Sequence, residues 1–248
     1  TTVNYNRDVE VFPVLRAMFE RILGESPYQS PTDMGVNMAG NCIFDDEAVS
    51  DASRREIVRR YYQAMCDLRT GRGEESAVAK IELLMNKAEI TVDINPTVAA
   101  SLRKAEETGM PAVAIELPDG QVITGKTSLL LGASSAALLN ALKVLAGLDD
   151  SLHLIAPEVI EPIQHLKISH LGNHNPRLHT DETLIALSIS AVTDPNAERA
   201  MEHLAELSGC DAHSTVILSQ VDTDVFRKLG VNMSCEPRYQ TKKLYHKR

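Results

Sequence analysis

The spacing of apolar residues changes character once along this chain. Up to about residue 95 they recur every three or four positions, the repeat of helices with one buried face. Phe12, Leu15, Phe19, Ile22 and Leu23 mark the first such face, with Asp8 as the expected N-cap, Pro13 near the start and Gly24 at the end. A second helix starts at Asp45 or Asp46, turns Val49, Ile57, Tyr61, Met65 and Leu68 inward, and stops at Gly71-Arg72-Gly73. A third runs from Glu75 to Ala88 around Val78, Ile81 and Met85. Between the first two, Ser26 to Asn41 is dense in Pro, Gly, Asn and Asp and predicts a long loop. Within it, Ser30-Pro31-Thr32-Asp33-Met34-Gly35-Val36-Asn37-Met38 reads either as a substrate-contacting loop or as a packed connection. Residues 1–95 are therefore expected to form a helical subdomain, a small three-helix bundle.

From Pro96 onward strands alternate with helices. A helix from Val98 to Glu107 stops at Gly109. Pro111 to Leu117 reads as a strand, Pro118-Asp119-Gly120 as a hairpin turn and Gln121 to Thr124 as the returning strand. A helix from Ser134 or Ser135 to Leu145 follows, then a strand over Leu152 to Ala156 and a helix opened by Pro157. Beyond a polar loop come helices from Thr180 and from Asp194-Pro195, a strand over Thr215 to Ser219, a helix over Asp222 to Leu229 and a strand over Val231 to Cys235. Residues 96–248 thus predict an α/β subdomain, a mixed sheet covered by helices.

The formal net charge of −9 argues against a broad phosphate-binding surface and against nucleic acid as a partner; the basic tail Arg238 to Arg248 reads as a solvated terminus. Cys42, Cys66, Cys210 and Cys235 lack paired spacing, which fits reduced thiols rather than a disulfide framework or a zinc site. The longest apolar stretch, Ser134 to Leu148, is interrupted by Asn140 and Lys143 and is too short to span a bilayer. A cytoplasmic protein with no membrane partner is expected. The chain opens without Met and enters a helix within a few residues, which reads as a cut through a longer protein.

The order from Val98 to about Leu166 (helix, hairpin, helix, strand, Pro-initiated helix) resembles the cytidine-deaminase-like core. The resemblance implies zinc ligands at the starts of the two helices that follow the hairpin. Here the first start reads Gly132-Ala133-Ser134-Ser135-Ala136 and the second Pro157-Glu158-Val159-Ile160-Glu161, so the zinc ligands are missing and no metal is assigned. Two helix N-termini facing one crevice form an anion pocket, which makes Ser134, Ser135 and Glu158 ligand candidates. Glu158 with Glu161 could alternatively hold a hard cation. The plainer alternative has the serines capping one helix and the glutamates complementing the dipole of the other.

His165, His170, His174 and His179 fall within fifteen residues, the most chemically loaded stretch of the chain. His174, His179 and Asp181 could form an imidazole–carboxylate set, and Arg177 could clamp an anion while a histidine moves protons. The spacing matches no established metal pattern, and Asn173, Asn175 and Pro176 read equally as turn chemistry. His174, Arg177, His179 and Asp181 are the ligand candidates of this loop, expected in a solvent-accessible concavity. Cys210-Asp211-Ala212-His213-Ser214 reads as a strand-entry turn rather than a catalytic set.

Finally, Thr2 to Asp8, Ser30 to Asn37, Asn175 to Glu182, His213 to Ser219 and Tyr239 to Tyr245 together resemble the bacterial domain of unknown function 1846 family over essentially the whole chain. The resemblance implies the C-terminal half of a protein about twice as long, whose missing N-terminal half would be its partner and would carry a phosphate-loop-like stretch. It transfers no catalytic residue and no cofactor. The functional expectation is a cytosolic enzyme acting on a phosphorylated or nucleotide-like small molecule, with a site shared with the missing domain and a homo-oligomeric state. The alternative is a non-catalytic structural or oligomerisation module on a degenerate deaminase-like frame, with metal-dependent hydrolysis at the histidine loop as a third reading.

Overall fold

The computed structural model describes residues 5–38 and 45–240. The chain divides into two compact units, Thr1–Asn95 and Pro96–Arg248. Cys42 and the basic tail from Thr241 lie outside the described residues.

Among the described residues the first unit holds four α-helices: α1 (Tyr5–Leu23), α2 (Pro31–Met38), α3 (Asp46–Arg69) and α4 (Glu75–Lys87), followed by a 3-10 turn at Val92–Ile94. The helix α2 replaces the expected long loop. Its start was written in the residues: Ser30 Oγ accepts from Asp33 N at 3.1 Å, Pro31 takes the first helical position, and Asp33 Oδ2 accepts from Gln29 N at 2.8 Å. Ser30 and Asp33 are buried in that cap, so the stretch after Ser30 is a helix with its start fixed rather than a loop. Asp45 caps α3 as expected, accepting from Ala48 N at 2.9 Å.

Two expectations for α1 are corrected. Asp8 lies within the helix, which is already formed at Tyr5, and Pro13 sits in its interior. Phe12 is buried, but Ile22 and Leu23 are 71% and 62% exposed. Val11, Val14, Met18 and Ile22 instead line an exposed apolar stripe along α1. A nineteen-residue helix with apolar residues on two faces cannot bury both against one bundle.

The second unit is α/β. Its sheet has four strands in the order β2-β1-β3-β4, with β1 at Ala112–Glu116, β2 at Val122–Lys126, β3 at Asp211–Ser214 and β4 at Asn232–Cys235. β1 runs antiparallel to both β2 and β3, while β3 and β4 are parallel, so the sheet is mixed. Around it stand α5 (Pro96–Thr108), α6 (Ala133–Leu145), α7 (Pro157–His165), α8 (Thr180–Ser190), α9 (Pro195–Glu202) and α10 (Gln220–Lys228). Val113 and Ile115 enter a core shared with Leu138 and Leu142 of α6, Leu178, Leu187 of α8 and Phe226 of α10. The alternating residues Ala112 and Ala114 point the other way and are equally buried, as a strand covered on both faces requires.

Gly125 seats α6 on the sheet. A Cβ there would lie 2.1 Å from Ala137 N, so only glycine lets the start of the helix approach β2 this closely.

The expected strand over Leu152 to Ala156 does not form. Leu154 and Ile155 are buried in the helix-lined core from a bent, unpaired segment, so their apolar pattern reports burial without a ladder. The place beside β1 is taken by β3, four residues earlier than the strand expected at Thr215 to Ser219. Cys210 to Ser214 is therefore largely strand, with His213 wholly buried and its Nδ1 2.8 Å from Ser234 Oγ.

Candidate functional site

In the second unit His179, Thr180, Ser219 and Asp222 converge at the N-termini of α8 and α10. Leu178, fully buried, fixes the approach to α8. It pairs with Leu131 in an isolated parallel bridge, donates its N–H to Leu130 O, and accepts from Gly132 N at 3.2 Å and Ser135 Oγ at 3.0 Å. The next residue, His179, is the N-cap of α8, and its position beside α6 is set by that bridge.

Across from it, Ser219 caps α10 by accepting from Asp222 N at 3.2 Å. The Asp222 carboxylate then turns back to α8. Its Oδ1 accepts from Thr180 N and Thr180 Oγ1, both at 3.0 Å; its Oδ2 accepts from Ser219 Oγ at 2.8 Å and lies 3.1 Å from His179 Nδ1. Burial alone would raise the Asp222 pKa, but the hydrogen bonds from His179, Thr180 N and Ser219 outweigh it and hold the carboxyl below its ordinary range. The hydrogen bond to Asp222 raises the His179 pKa against the opposing effect of burial. An ionised carboxylate only accepts, so Nδ1 carries the proton and the neutral ring leaves Nε2 as a base. Nε2 has no hydrogen-bond partner among the described residues, and the His179 side chain is 31% exposed.

A second charged pair braces the same corner. Lys167, on a π-helical turn at Leu166–His170, is buried and donates to Arg177 O and to Glu182 Oε2, each at 2.6 Å. Glu182 Oε2 also accepts from His179 N at 2.8 Å. The backbone of His179 is therefore held by one carboxylate and its ring by another.

The candidates read from sequence separate into three groups. His179 and Ser135 come together, joined through Leu178. Ser134 is buried in the first turn of α6, whose N-cap Gly132 supplies no side-chain cap; neither serine is the side-chain cap expected there. Arg177 is 8% exposed rather than solvent-facing. Its Nε donates to Ser128 O and its backbone N to Asn175 Oδ1, so it staples the loop to the segment after β2. Asp181 accepts from Glu182 N at 2.8 Å. His174 is exposed, and Glu158 is exposed in the first turn of α7. No group of three or more His, Cys, Asp or Glu able to hold a metal ion occurs among the described residues. His165 and His170 stack edge to face at 5.5 Å, which accounts for two of the four clustered histidines as a local ring contact. Burial pushes the Cys210 thiol up, helped by Asp211 and Glu116.

Sequence reading missed Asp222, Ser219, Thr180 and Lys167 as members of one site. The Ser219-x-x-Asp222 spacing is a visible helix-start signal. The contact to His179, forty-three residues away, is not visible in any local pattern.

Comparison with known proteins places this chain in a family. A model described as the C-terminal part of the domain of unknown function DUF1846 matches residues 93–245, and one described as its N-terminal part matches residues 1–89. The chain belongs to the DUF1846 family. It is 58% identical over 247 residues to a UPF0371 protein of Streptococcus thermophilus and 57% identical over 247 residues to one of Streptococcus pyogenes serotype M5. Each alignment covers 100% of this chain and 50% of the relative, so the chain spans about half the length of the curated relatives it matches. The expected partner, a missing N-terminal half, is corrected by the same finding. The N-terminal family model matches residues 1–89 of this chain, within the helical unit that sequence reading assigned to a C-terminal half. No helix among the described residues is long and apolar enough to cross a membrane.

Proposed function

We propose that the α/β unit carries a proton-transfer site of a small-molecule enzyme, with His179 as the acid–base group and Asp222 as the residue that orients it. One observation carries this reading: an imidazole whose Nδ1 is held by a buried, four-donor carboxylate while Nε2 is unpartnered among the described residues. Such a ring is fixed in one tautomer, is shifted toward the working range of proton transfer, and presents a single basic nitrogen. Thr180 and Ser219 act through Asp222 as positioning residues, and Lys167 with Glu182 holds the backbone of His179.

The deaminase-like frame belongs to the same reading. Helix α5, the β1–β2 hairpin and α6 come in the expected order; α7, α8 and α9 then intervene before β3 and α10, which we take as the strand and helix of that frame in place of residues 152–156 and α7. The two helix starts are then those of α6 and α10, which meet at His179 through Leu178 and Asp222. Ser134, Ser135, Ser219 and Asp222 occupy them, so the frame serves proton transfer with an imidazole from α8 and without zinc ligands.

Phosphorylated and nucleotide-like small molecules are the substrate class to test. Full chain incubated with a panel of these compounds and followed by mass spectrometry should convert at least one. His179→Gln should lower that turnover by about a hundredfold, the usual contribution of general acid–base catalysis. Turnover undiminished in His179→Gln would overturn the assignment. One observation favours a second reading, an oligomerisation module: the exposed apolar stripe of Val11, Val14, Met18 and Ile22 on α1. Failure to bind any panel member, together with self-association in sedimentation, would select it.

A further inference from the structure

One side of α1 carries both a hollow and a projection. The hollow, about 610 Å³, opens between α1 and α4, with Pro13, Val14, Ile81, Leu83 and Leu84 as its apolar lining. Leu84 is buried, but Val14 and Leu83 are 56% and 55% exposed, so the hollow presents apolar surface to water. The projection is Ile22, 71% exposed in the last turn of the same helix. Val14, Met18 and Ile22 follow one another at four-residue intervals and share one side of α1, with Met18 midway. The rise from Val14 to Ile22 is about 12 Å.

A hollow and a projection on one helix fit each other but cannot meet within one molecule. A second copy laid antiparallel across the first brings them together. A two-fold axis at Met18 exchanges the levels of Val14 and Ile22, so the Ile22 of each copy enters the hollow of the other and Met18 packs on Met18. The same patch is then buried on both copies, and the contact closes at two.

We propose that α1 and α4 form the interface of an antiparallel homodimer, with Met18 on its axis and Ile22 seated beside Val14 and Leu83 of the second copy. Area supports a second copy as the occupant. Val11, Val14, Met18, Ile22 and Leu83 leave roughly 500 Å² of apolar surface in water, so a pair buries about 1,000 Å², the lower bound for a specific interface. Charge supports the direction. In this register Glu25 comes level with Val11, at the Glu10–Lys80 ion pair, and Arg21 lies one turn further in. An acid and a base of one copy thus face a base and an acid of the other, whereas a parallel pairing sets like charges opposite each other. The inference rests on the oligomerisation reading for the exposed stripe, adds its occupant and register, and leaves the proton-transfer site untouched.

Sedimentation of the chain across a concentration series should show a monomer–dimer equilibrium. Ile22→Glu and Leu83→Glu should each weaken the dimer at least about thirtyfold, the effect of losing a central anchor of an interface. Both residues are exposed, so the helical circular dichroism of each variant should match that of the wild type. The register is tested by crosslinking. Met18→Cys should form a disulfide-linked pair alone on mild oxidation, and Ile22→Cys mixed with Leu83→Cys should form a mixed one. A monomer at every concentration would overturn both this inference and the oligomerisation reading. A larger assembly, a dimer that survives both glutamate substitutions, or a dimer that yields no mixed crosslink would overturn this inference alone and leave the oligomerisation reading standing.

Discussion

The two units use polar residues in opposite ways. In the helical unit the described ion pairs and caps are mostly local: Arg16 to Glu20, Arg55 to Asp51 and Arg60 to Glu56 are one turn apart, and Ser30 and Asp45 cap their own helices. Each sets a helix end or coats an exposed face. In the α/β unit the bonds at Asp222 join segments about forty residues apart, and Lys167 reaches ten and fifteen residues along the chain. Local pairs make helices; distant buried pairs hold one side chain in one geometry, which is what chemistry needs.

This contrast ranks the effects of substitution. Gly125→Val should be the most damaging, since its side chain would overlap the α6 backbone at Ala137. A loss of about 3 kcal/mol or more, or failure to fold, is expected in urea denaturation. Near-normal stability would mean that α6 is not seated as described. Next, Asp222→Ala should cost about 2–3 kcal/mol, because it strands Thr180 N, Thr180 Oγ1 and Ser219 Oγ in a buried site. A cost below about 0.5 kcal/mol would make the network ornamental.

In the helical unit Ser30→Ala should cost about 1 kcal/mol through loss of a single cap, with no effect on the site. Arg55→Ala, whose partner Asp51 is half exposed, should stay within about 0.5 kcal/mol in the same measurement. A larger effect at Arg55 than at Asp222 would invert the comparison.

The pH dependence of stability sharpens it further. The folded pKa of His179 is raised, so its contribution is complete below the ordinary value of 6.5 and is lost as pH rises through the folded value. The folded pKa of Asp222 is lowered, so its contribution is complete above 3.8 and is lost as pH falls through the folded value. The pair should therefore contribute fully between about pH 3.8 and 6.5. Subtracting the Asp222→Asn profile from that of the wild type isolates this window; a flat difference would show that the two groups are not coupled.

Much of the fold was legible. Helix ends at Gly24, Gly71 and Gly109 and the hairpin at Gly120 followed from turn chemistry, because all four adopt positive φ. The errors share one cause. Leu154 and Ile155 were read as strand because burial and alternation look alike over five residues, and Ile22 and Leu23 as core because periodicity shows that a face is apolar without showing what covers it. At the site, His179 stood out by composition and Ser135 by its helix start, but Asp222 declared itself only as the start of a helix. Its partner is chosen by how α8 and α10 pack, which local pattern does not encode. Arg177 was misread in its exposure for the converse reason: a guanidinium in a polar loop suggests a solvent-facing side chain, yet its residue is buried and its Nε donates to a carbonyl.

The central claim is that Asp222 tunes and orients His179. Titrating the His179 ring by proton–nitrogen correlation NMR tests it most directly, in wild type and in Asp222→Asn. The wild-type pKa should lie above 6.5, with the neutral ring protonated at Nδ1, and the substitution should lower that pKa and release the tautomer. An unshifted wild-type titration, or one that Asp222→Asn leaves in place, would contradict the account.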